Sequence, residues 1–253
     1  MTNAIGVGAI TFLFTFGAAW LGTVIRAGLP PTHLQKESQD VVRLGMGLVA
    51  TMTALLLGLV TAAAKSTFDS QDTTVRNSAV NILSLDRALA RYGPETKNIR
   101  SLLRESVAYR LETIWATGVP AGSHAGFRPR IGAEAIEDQI LQLTPTTEPQ
   151  RWFRSQALSF TQDILKTRWF IFSSEKNSVP TAFLFVVIAW LTATFASFGL
   201  FAPRNTTVTI AFAVAALSVA AAVFLILELD SPFDGLIRIT SGYFQYALEN
   251  LGK

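Results

Sequence analysis

Cysteine is absent from the 253 residues, and histidine occurs only at His33 and His124. Without cysteine the chain forms no disulfide, no thiolate metal site and no cysteine nucleophile. Two histidines cannot build a multi-histidine metal centre within one chain, and His124 lies in a small loop rich in glycine and alanine. The sequence contains no paired catalytic groups and no nucleotide-binding loop. We therefore predict that the protein is not an enzyme and holds no metal or cofactor.

Charge is also scarce, because charged residues make up 15% of the chain and hydrophobic residues 50%, with a mean hydropathy of +0.36. These values are typical of membrane proteins. The net charge is +3, and the middle of the chain mixes both signs. Such a mixture indicates a solvated surface and not a nucleic-acid interface.

Four uncharged apolar segments of about 20 residues are long enough to cross the roughly 30 Å hydrocarbon core of a bilayer as helices. They are Ile5 to Ile25, Leu44 to Ala64, Pro180 to Phe201 and Val208 to Leu227. Buried helices of a soluble protein are the alternative, but four such segments in a short chain favour membrane spans. The first is too long for a signal peptide and has no basic residue before it, so we expect it to remain as a span.

We predict an all-α integral membrane protein with two transmembrane hairpins and a helical cytoplasmic domain inserted between spans two and three. The predicted boundaries are 1–64 for the first hairpin, 65–178 for the helical domain, 179–228 for the second hairpin and 229–253 for a C-terminal interfacial segment. Basic residues near the span ends favour a multi-pass protein of the inner (plasma) membrane with both termini cytoplasmic. The basic residues on the predicted inner side are Lys65, Arg76, Lys166, Arg168, Lys176, Arg238 and Lys253, against Arg26, Lys36, Arg43 and Arg204 outside.

The middle segment has helical periodicity throughout. Apolar residues recur every three or four positions from Val75 to Leu89, and Pro94 is suited to open a second helix that reaches Ile114. Ala133 to Leu143 predicts a short helix and Arg151 to Phe172 a longer one. We expect these helices to extend spans two and three beyond the membrane, with no strands.

Small and hydroxyl residues form a stripe along span two that ends at a lysine. Its members are Gly47, Thr51, Ala54, Gly58, Thr61 and Lys65. Spacings of three and four place them on one helix face. Span one has a similar stripe at Gly8, Thr11, Thr15, Ala18 and Gly22.

One interpretation of the stripes is close helix packing. The other is that the span-two stripe lines a pore on the axis of a homo-oligomer that conducts inorganic ions, with Lys65 at the pore mouth.

An acidic cluster follows the last span and comprises Glu228, Asp230 and Asp234. Carboxylates at a membrane boundary are costly to leave unpaired. A salt-bridged interfacial turn is one interpretation, with Lys65 or Arg238 as the partner, and an oxygen-ligated cation site is another.

Several segments, taken in their order along the chain, resemble the bacterial bestrophin-like domain family, and they cover nearly the whole chain. They are Gly58–Val60, Ala64–Asp69, Leu85–Leu89, Tyr92–Glu95 and Leu227–Gly235. The last is similar to the Glu-x-x-x-Pro-Phe-Gly motif of bestrophins, with Asp234 inserted before the glycine. The resemblance to bestrophins implies a pentameric ion channel with four membrane helices per subunit and both termini in the cytoplasm. It does not fix the sign of the ion, because the group contains anion-selective and cation-selective members.

Two bestrophin features do not carry over. The acidic run of the calcium clasp is missing, and span two has no phenylalanine to form an aromatic neck. An alternative function is a non-conducting membrane scaffold or sensor, whose helical domain binds a protein partner and whose small-residue stripes only pack helices.

Overall fold

The computed structural model describes residues 2–30, 35–116, 132–174, 181–233 and 235–253, which are almost entirely helical and contain no strand. The eight α-helices in this part of the chain are α1 (Thr2–Ile25), α2 (Lys36–Tyr92), α3 (Lys97–Leu111), α4 (Ala133–Leu141), α5 (Glu148–Ser174), α6 (Thr181–Phe201), α7 (Thr206–Leu229) and α8 (Gly242–Asn250). Short 3-10 turns follow α1 and precede α3, and a π-helical turn follows α3.

The chain divides into two compact units. The first comprises Met1–Thr67 and Val179–Ser231, and the second comprises Phe68–Ser178 and Pro232–Lys253. Four helices are long and apolar enough to cross a membrane, namely α1, α2, α6 and α7. This confirms that the four predicted spans are helices of sufficient length and hydropathy to cross a membrane.

In the first unit, α1 packs against α6 and α7. Glycines allow the close approach of α1 and α6: a Cβ atom at Gly22 would lie 2.8 Å from the backbone nitrogen of Leu200, and one at Gly199 would overlap the carbonyl of Ala19. Ala19, Phe195 and Ala216 form the small core of this unit. Because no hydrophobic force drives helices together in lipid, such backbone contact is the expected source of their association.

Polar side chains secure the turn between α6 and α7. Arg26 donates a hydrogen bond to the carbonyl of Ala202, and Nη2 of Arg204 donates to the carbonyl of Thr23 at 2.8 Å. The side chain of Asn205 caps α7 by accepting from the Val208 N–H at 2.8 Å. The first N–H groups and the last carbonyl groups of a helix have no hydrogen-bond partner within the helix, and these contacts supply one.

The second unit has a larger apolar core. The predicted face of α2 is buried at Val75, Ala79, Ile82, Leu85 and Leu89. It packs with buried residues of α3, α4 and α5. At the end of α2, Gly93 has φ 145°, a conformation that favours glycine, and α3 follows after the 3-10 turn at Pro94–Thr96.

The C-terminal segment adds a helix that the sequence interpretation did not resolve. Phe244 and Ala247 of α8 and the following Leu251 are buried in the core of the second unit. Trp115 contacts Phe244 with ring centroids 5.5 Å apart, and its Nε1 donates to the carbonyl of Ile239 at 2.9 Å. This part of the 229–253 segment therefore belongs to a packed helical core.

The predicted helices of the middle segment agree with α3, α4 and α5, and α2 runs without interruption from span two to Tyr92. Helix α2 begins at Lys36, so the polar residues from Lys36 to Arg43 belong to the helix. Whether span three is likewise extended depends on residues 175–180, which lie outside the described residues. His33, His124 and residues 118–120, where a glycine and a proline predict the end of the second helix, also lie outside them.

Candidate functional site

The span portion of α2 is the least buried of the four. Only 6% of its most apolar 18-residue window is buried inside the chain, against 33% for α1, 28% for α6 and 22% for α7. A membrane helix that makes so few contacts within its own chain leaves most of its surface to lipid, to other subunits or to water.

The predicted stripe lies on this open surface. Gly47, Thr51, Ala54, Gly58 and Lys65 are exposed, and Thr61 is half-buried. A Cβ atom added at Gly47 or at Gly58 would meet no atom within 4 Å. These two glycines are therefore not used for close packing within the described part of the chain.

The stripe hydroxyls are satisfied by their own helix. Oγ1 of Thr51 donates to the carbonyl of Gly47 at 2.9 Å, and Oγ1 of Thr61 donates to the carbonyl of Leu57 at 2.7 Å. Bonds of this kind let a hydroxyl lie in an apolar environment while its oxygen can still accept from water. The stripe can therefore border water without requiring it.

The rest of α2 is divided between a packed side and a leucine-rich side. Thr53 and Ala64 are buried. The exposed leucines are Leu44, Leu48, Leu55 and Leu59, between 60% and 77% exposed. Because residues are spaced at 100° around a helix, the stripe lies between the buried side and this leucine face. Met52 is also exposed, whereas Val49, Leu56 and Val60 are half-buried.

One end of the stripe borders a groove. Gly47 and Arg43 line a cavity of about 330 Å³ together with Phe198, Phe201 and Phe212. Gly47 thus faces the turn between α6 and α7 more closely than the other stripe residues do.

The stripe of α1 is in a different environment. Gly8, Thr11, Thr15, Ala18 and Gly22 are all buried. A Cβ atom at Gly8 would lie 3.4 Å from Cβ of Phe224 on α7. Gly22 lies against the backbone of α6 at Leu200. For α1, close helix packing is therefore the correct interpretation of the pattern.

The acidic cluster is only partly described. Glu228 is buried at the end of α7 with 2% exposure, Asp230 is half-buried, and Asp234 lies outside the described residues. The carbonyl of Glu228 accepts from the Ser231 N–H at 3.2 Å, which continues the chain into a tight turn. Among the residues that the structure describes, no group of three or more acidic or histidine side chains is placed to hold a metal ion.

Sequence reasoning missed a buried ion pair in the second unit. Asp86 of α2 is 1% exposed and accepts from Nε of Arg100 at 2.7 Å and from Nη2 at 2.9 Å. A signal was present, because Asp86 follows Ile82 by four residues and precedes Leu89 by three, which places a charge beside the apolar face of α2. Its partner, 14 residues further on, has no comparable local signal.

These features define a polytopic membrane protein whose second helix is left open within the chain. A family model described as the bestrophin-like domain matches residues 13–244. The chain therefore belongs to the bestrophin-like domain family, as the sequence motifs predicted.

Solved structures show the same fold. A single-substitution variant of a bacterial bestrophin homologue from Klebsiella pneumoniae is 15% identical with a TM-score of 0.70, and the match covers 96% of this chain and 99% of that one. Another structure of a bacterial bestrophin homologue from the same organism is 15% identical with a TM-score of 0.69, covering 94% and 96%. No curated protein sequence matches the chain.

Proposed function

We propose that the protein is a homo-oligomeric ion channel in which the stripe of α2 faces a symmetric axis. Membership of the bestrophin-like domain family supports this proposal, as does the bestrophin fold over almost the whole chain. The observation that carries it is the exposure of α2, the span with the least contact inside the chain. The resemblance to bestrophins favours five subunits.

Assembly around α2 would give its two open faces different partners. The leucine face, with Leu55 67% exposed, is suited to pack against a neighbouring subunit or lipid. The stripe, with small side chains and exposed glycine backbone, leaves room for a path along the axis. A weakly polar path of this kind needs no buried charge. The proposal assigns no sign to the ion.

Lys65 is placed at one mouth of this path. It is exposed and lies on the same helix face as Thr51, Ala54 and Gly58. A symmetric assembly repeats the lysine in every subunit, so a ring of positive charge forms at the mouth and changes the local ion concentration.

For the membrane arrangement we propose two hairpins in the inner membrane, with the helical unit and both termini on the cytoplasmic side. The excess of basic residues near one set of span ends supports this orientation. Impermeant thiol reagents should not label Ser123→Cys in intact cells but should label it after the membrane is opened. Labelling in intact cells would contradict the orientation.

The acidic cluster has a structural role in this proposal. Glu228 is buried where α7 ends, and the proposal assigns it to the turn into the C-terminal segment and not to conduction. Permeation is assigned to α2.

Two measurements test the channel proposal together. The mass of the protein in mild detergent should exceed that of one 27.5 kDa chain, and liposomes containing it should release ions.

Thr51→Phe and Gly58→Leu should reduce the flux while the oligomer stays intact, because bulky apolar side chains fill or dry a narrow path. A matched control is Leu55→Phe on the leucine face, which should leave the flux largely unchanged. A single-chain mass, or unchanged flux in intact assemblies of both stripe variants, would reject the assignment.

A non-conducting scaffold or sensor is the second candidate. The exposed Trp152 on α5, 58% accessible and in edge contact with Phe153 at 4.9 Å, favours a surface that a protein partner covers. Under this hypothesis Gly58→Leu weakens assembly before any transport changes, and liposomes show no flux. Trp152→Ala would then impair the biological activity without altering the oligomer.

A further inference from the structure

A basic cavity in the second unit lies far along the sequence from the α2 stripe. Its volume is about 420 Å³, and its lining includes Lys97, Arg100 and Arg104 of α3 together with Ser101 and Gly252. The three cations are spaced by three and four residues, so they share one face of α3. Acidic side chains are absent from the described residues that line the cavity.

The Arg100 side chain is fixed in place by the buried carboxylate of Asp86. Nε and Nη2 of Arg100 are bound to the two carboxylate oxygens, and Oδ2 also accepts from the Gly252 N–H at 3.2 Å. The hydrogen bond to Asp86 raises the pKa of Arg100, against the opposing effect of burial. Since the guanidinium is planar, this two-point contact leaves the two N–H donors of Nη1 outside the ion pair.

The contact between Arg104 and the C-terminal segment is also held by a hydrogen bond. Nη1 of Arg104 donates to the carbonyl of Leu251 at 3.1 Å, and Leu251 is 1% exposed. Gly252 follows with φ 89°, which turns the backbone past Arg104. Lys97 remains exposed one turn before Arg100. The cavity thus combines three cations with the buried carboxylate of Asp86 and with the carboxylate of Glu95 beside Gly93, which leaves one net positive charge.

We propose that this cavity binds a small anion that carries a phosphate group. Arginine donors suit phosphate oxygens, and charge-assisted hydrogen bonds of this kind are stronger than neutral ones. A volume of a few hundred Å³ fits a small metabolite. The carboxylate of Glu95 lies beside Gly93 at the rim and repels an anion there, so the phosphate is seated toward Arg104.

Binding has a structural consequence for the C-terminal segment. Arg100 contacts it through Asp86 and Gly252, and Arg104 contacts it directly through Leu251. A phosphate bridging the two arginines holds both contacts in place. Occupancy should therefore slow hydrogen exchange at the Gly252 amide and raise the unfolding temperature of the full chain.

The test uses the full chain in detergent, in a buffer without phosphate or sulfate. Inorganic phosphate, adenosine monophosphate and dihexanoyl phosphatidic acid are titrated separately, with sodium chloride at matched ionic strength as reference. At least one phosphate compound should raise the unfolding temperature more than chloride does. A response to phosphate, to the nucleotide or only to the lipid supports the site and identifies the source of the phosphate group.

Variants connect any response to this cavity. Lys97→Ala combined with Arg104→Gln should weaken binding by at least about tenfold, because two charge-assisted donors are removed. Lys166→Ala is the control, since it removes an exposed cation elsewhere in the second unit. Glu95→Gln should tighten binding, which a general loss of stability could not do. No response to any of the three compounds, or an equal response in the double variant, would overturn the proposal.

Discussion

Helices α1 and α2 carry the same pattern of small and hydroxyl residues in different environments. In α1 all five stripe positions are buried against other helices of the chain, whereas in α2 only Thr61 is half-buried and the others are exposed. The difference arises from the facing helix. Gly199 of α6 allows the backbone of α1 to approach at Ala19, while Gly47 and Gly58 have no atom within 4 Å of a Cβ position. The pattern permits close contact, and the facing surface decides whether that contact forms.

The largest expected difference between the two helices is in folding. Gly199→Leu places a side chain against the Ala19 carbonyl and forces α1 and α6 apart, so we expect a loss of more than about 3 kcal/mol. Gly58→Leu adds the same atoms to an open surface and should leave the single chain folded. The unfolding temperature of each variant in detergent, measured at one scan rate, checks this. Equal losses would mean that the two stripes have the same role.

Hydroxyl removal gives a second comparison, read out as transport. Thr15 is buried and donates to the carbonyl of Thr11 at 2.8 Å, and Thr51 makes the same kind of bond from an exposed position. Thr51→Val removes an oxygen that borders water in the proposed pore and should lower liposome flux severalfold. Thr15→Val should leave the flux unchanged. If only Thr15→Val lost flux, the assignment of permeation to α2 would be wrong.

Charge reversal at the end of the α2 stripe should have a smaller effect. Lys65→Glu changes the sign of the proposed ring and should shift the reversal potential in an ion gradient. The shift should shrink in high salt, since the Debye length falls from about 10 Å at 0.1 M to about 3 Å at 1 M. Arg91→Glu, an exposed charge beyond the span on the same helix, is the control. A shift of equal size in both variants would remove Lys65 from the mouth.

The smallest effect is expected for a methyl group added on the open surface of α2. Gly45→Ala meets nothing within 4 Å and replaces a glycine inside a helix, so stability should stay within about 1 kcal/mol or rise. Gly22→Ala places the methyl against α6 and should destabilise the chain. Thermal unfolding of the two variants would show the same order as the leucine variants. A more stable Gly22→Ala protein would contradict the close approach of α1 and α6.

Much of the fold follows from local patterns in the sequence. The four apolar spans and the helical face from Val75 to Leu89 are confirmed, because hydrophobic length and periodicity are properties of short segments. The assignment to the bestrophin-like family rests on motifs spread over the chain and is also confirmed.

Features that depend on distant partners could not be predicted in the same way. Helix α8 packs against Trp115, more than one hundred residues earlier in the chain. Similarly, Arg100 is recognisable as a partner of Asp86 only when α2 and α3 are packed together. The stripes of α1 and α2 look alike in sequence because the pattern within one helix carries no information about which helix faces it. The pore-lining role of the α2 residues stays a prediction.

Thiol accessibility along α2 tests the central claim most directly. The chain has no cysteine, so each variant carries a single thiol. Thr51→Cys and Gly58→Cys should react with a charged, water-soluble thiol reagent in the assembled protein, and the reaction should block ion flux from liposomes. Leu55→Cys and Leu59→Cys on the leucine face should react slowly and leave the flux unchanged. Rapid reaction and block at the leucine positions, with none at Thr51 and Gly58, would contradict the assignment of the stripe to the pore.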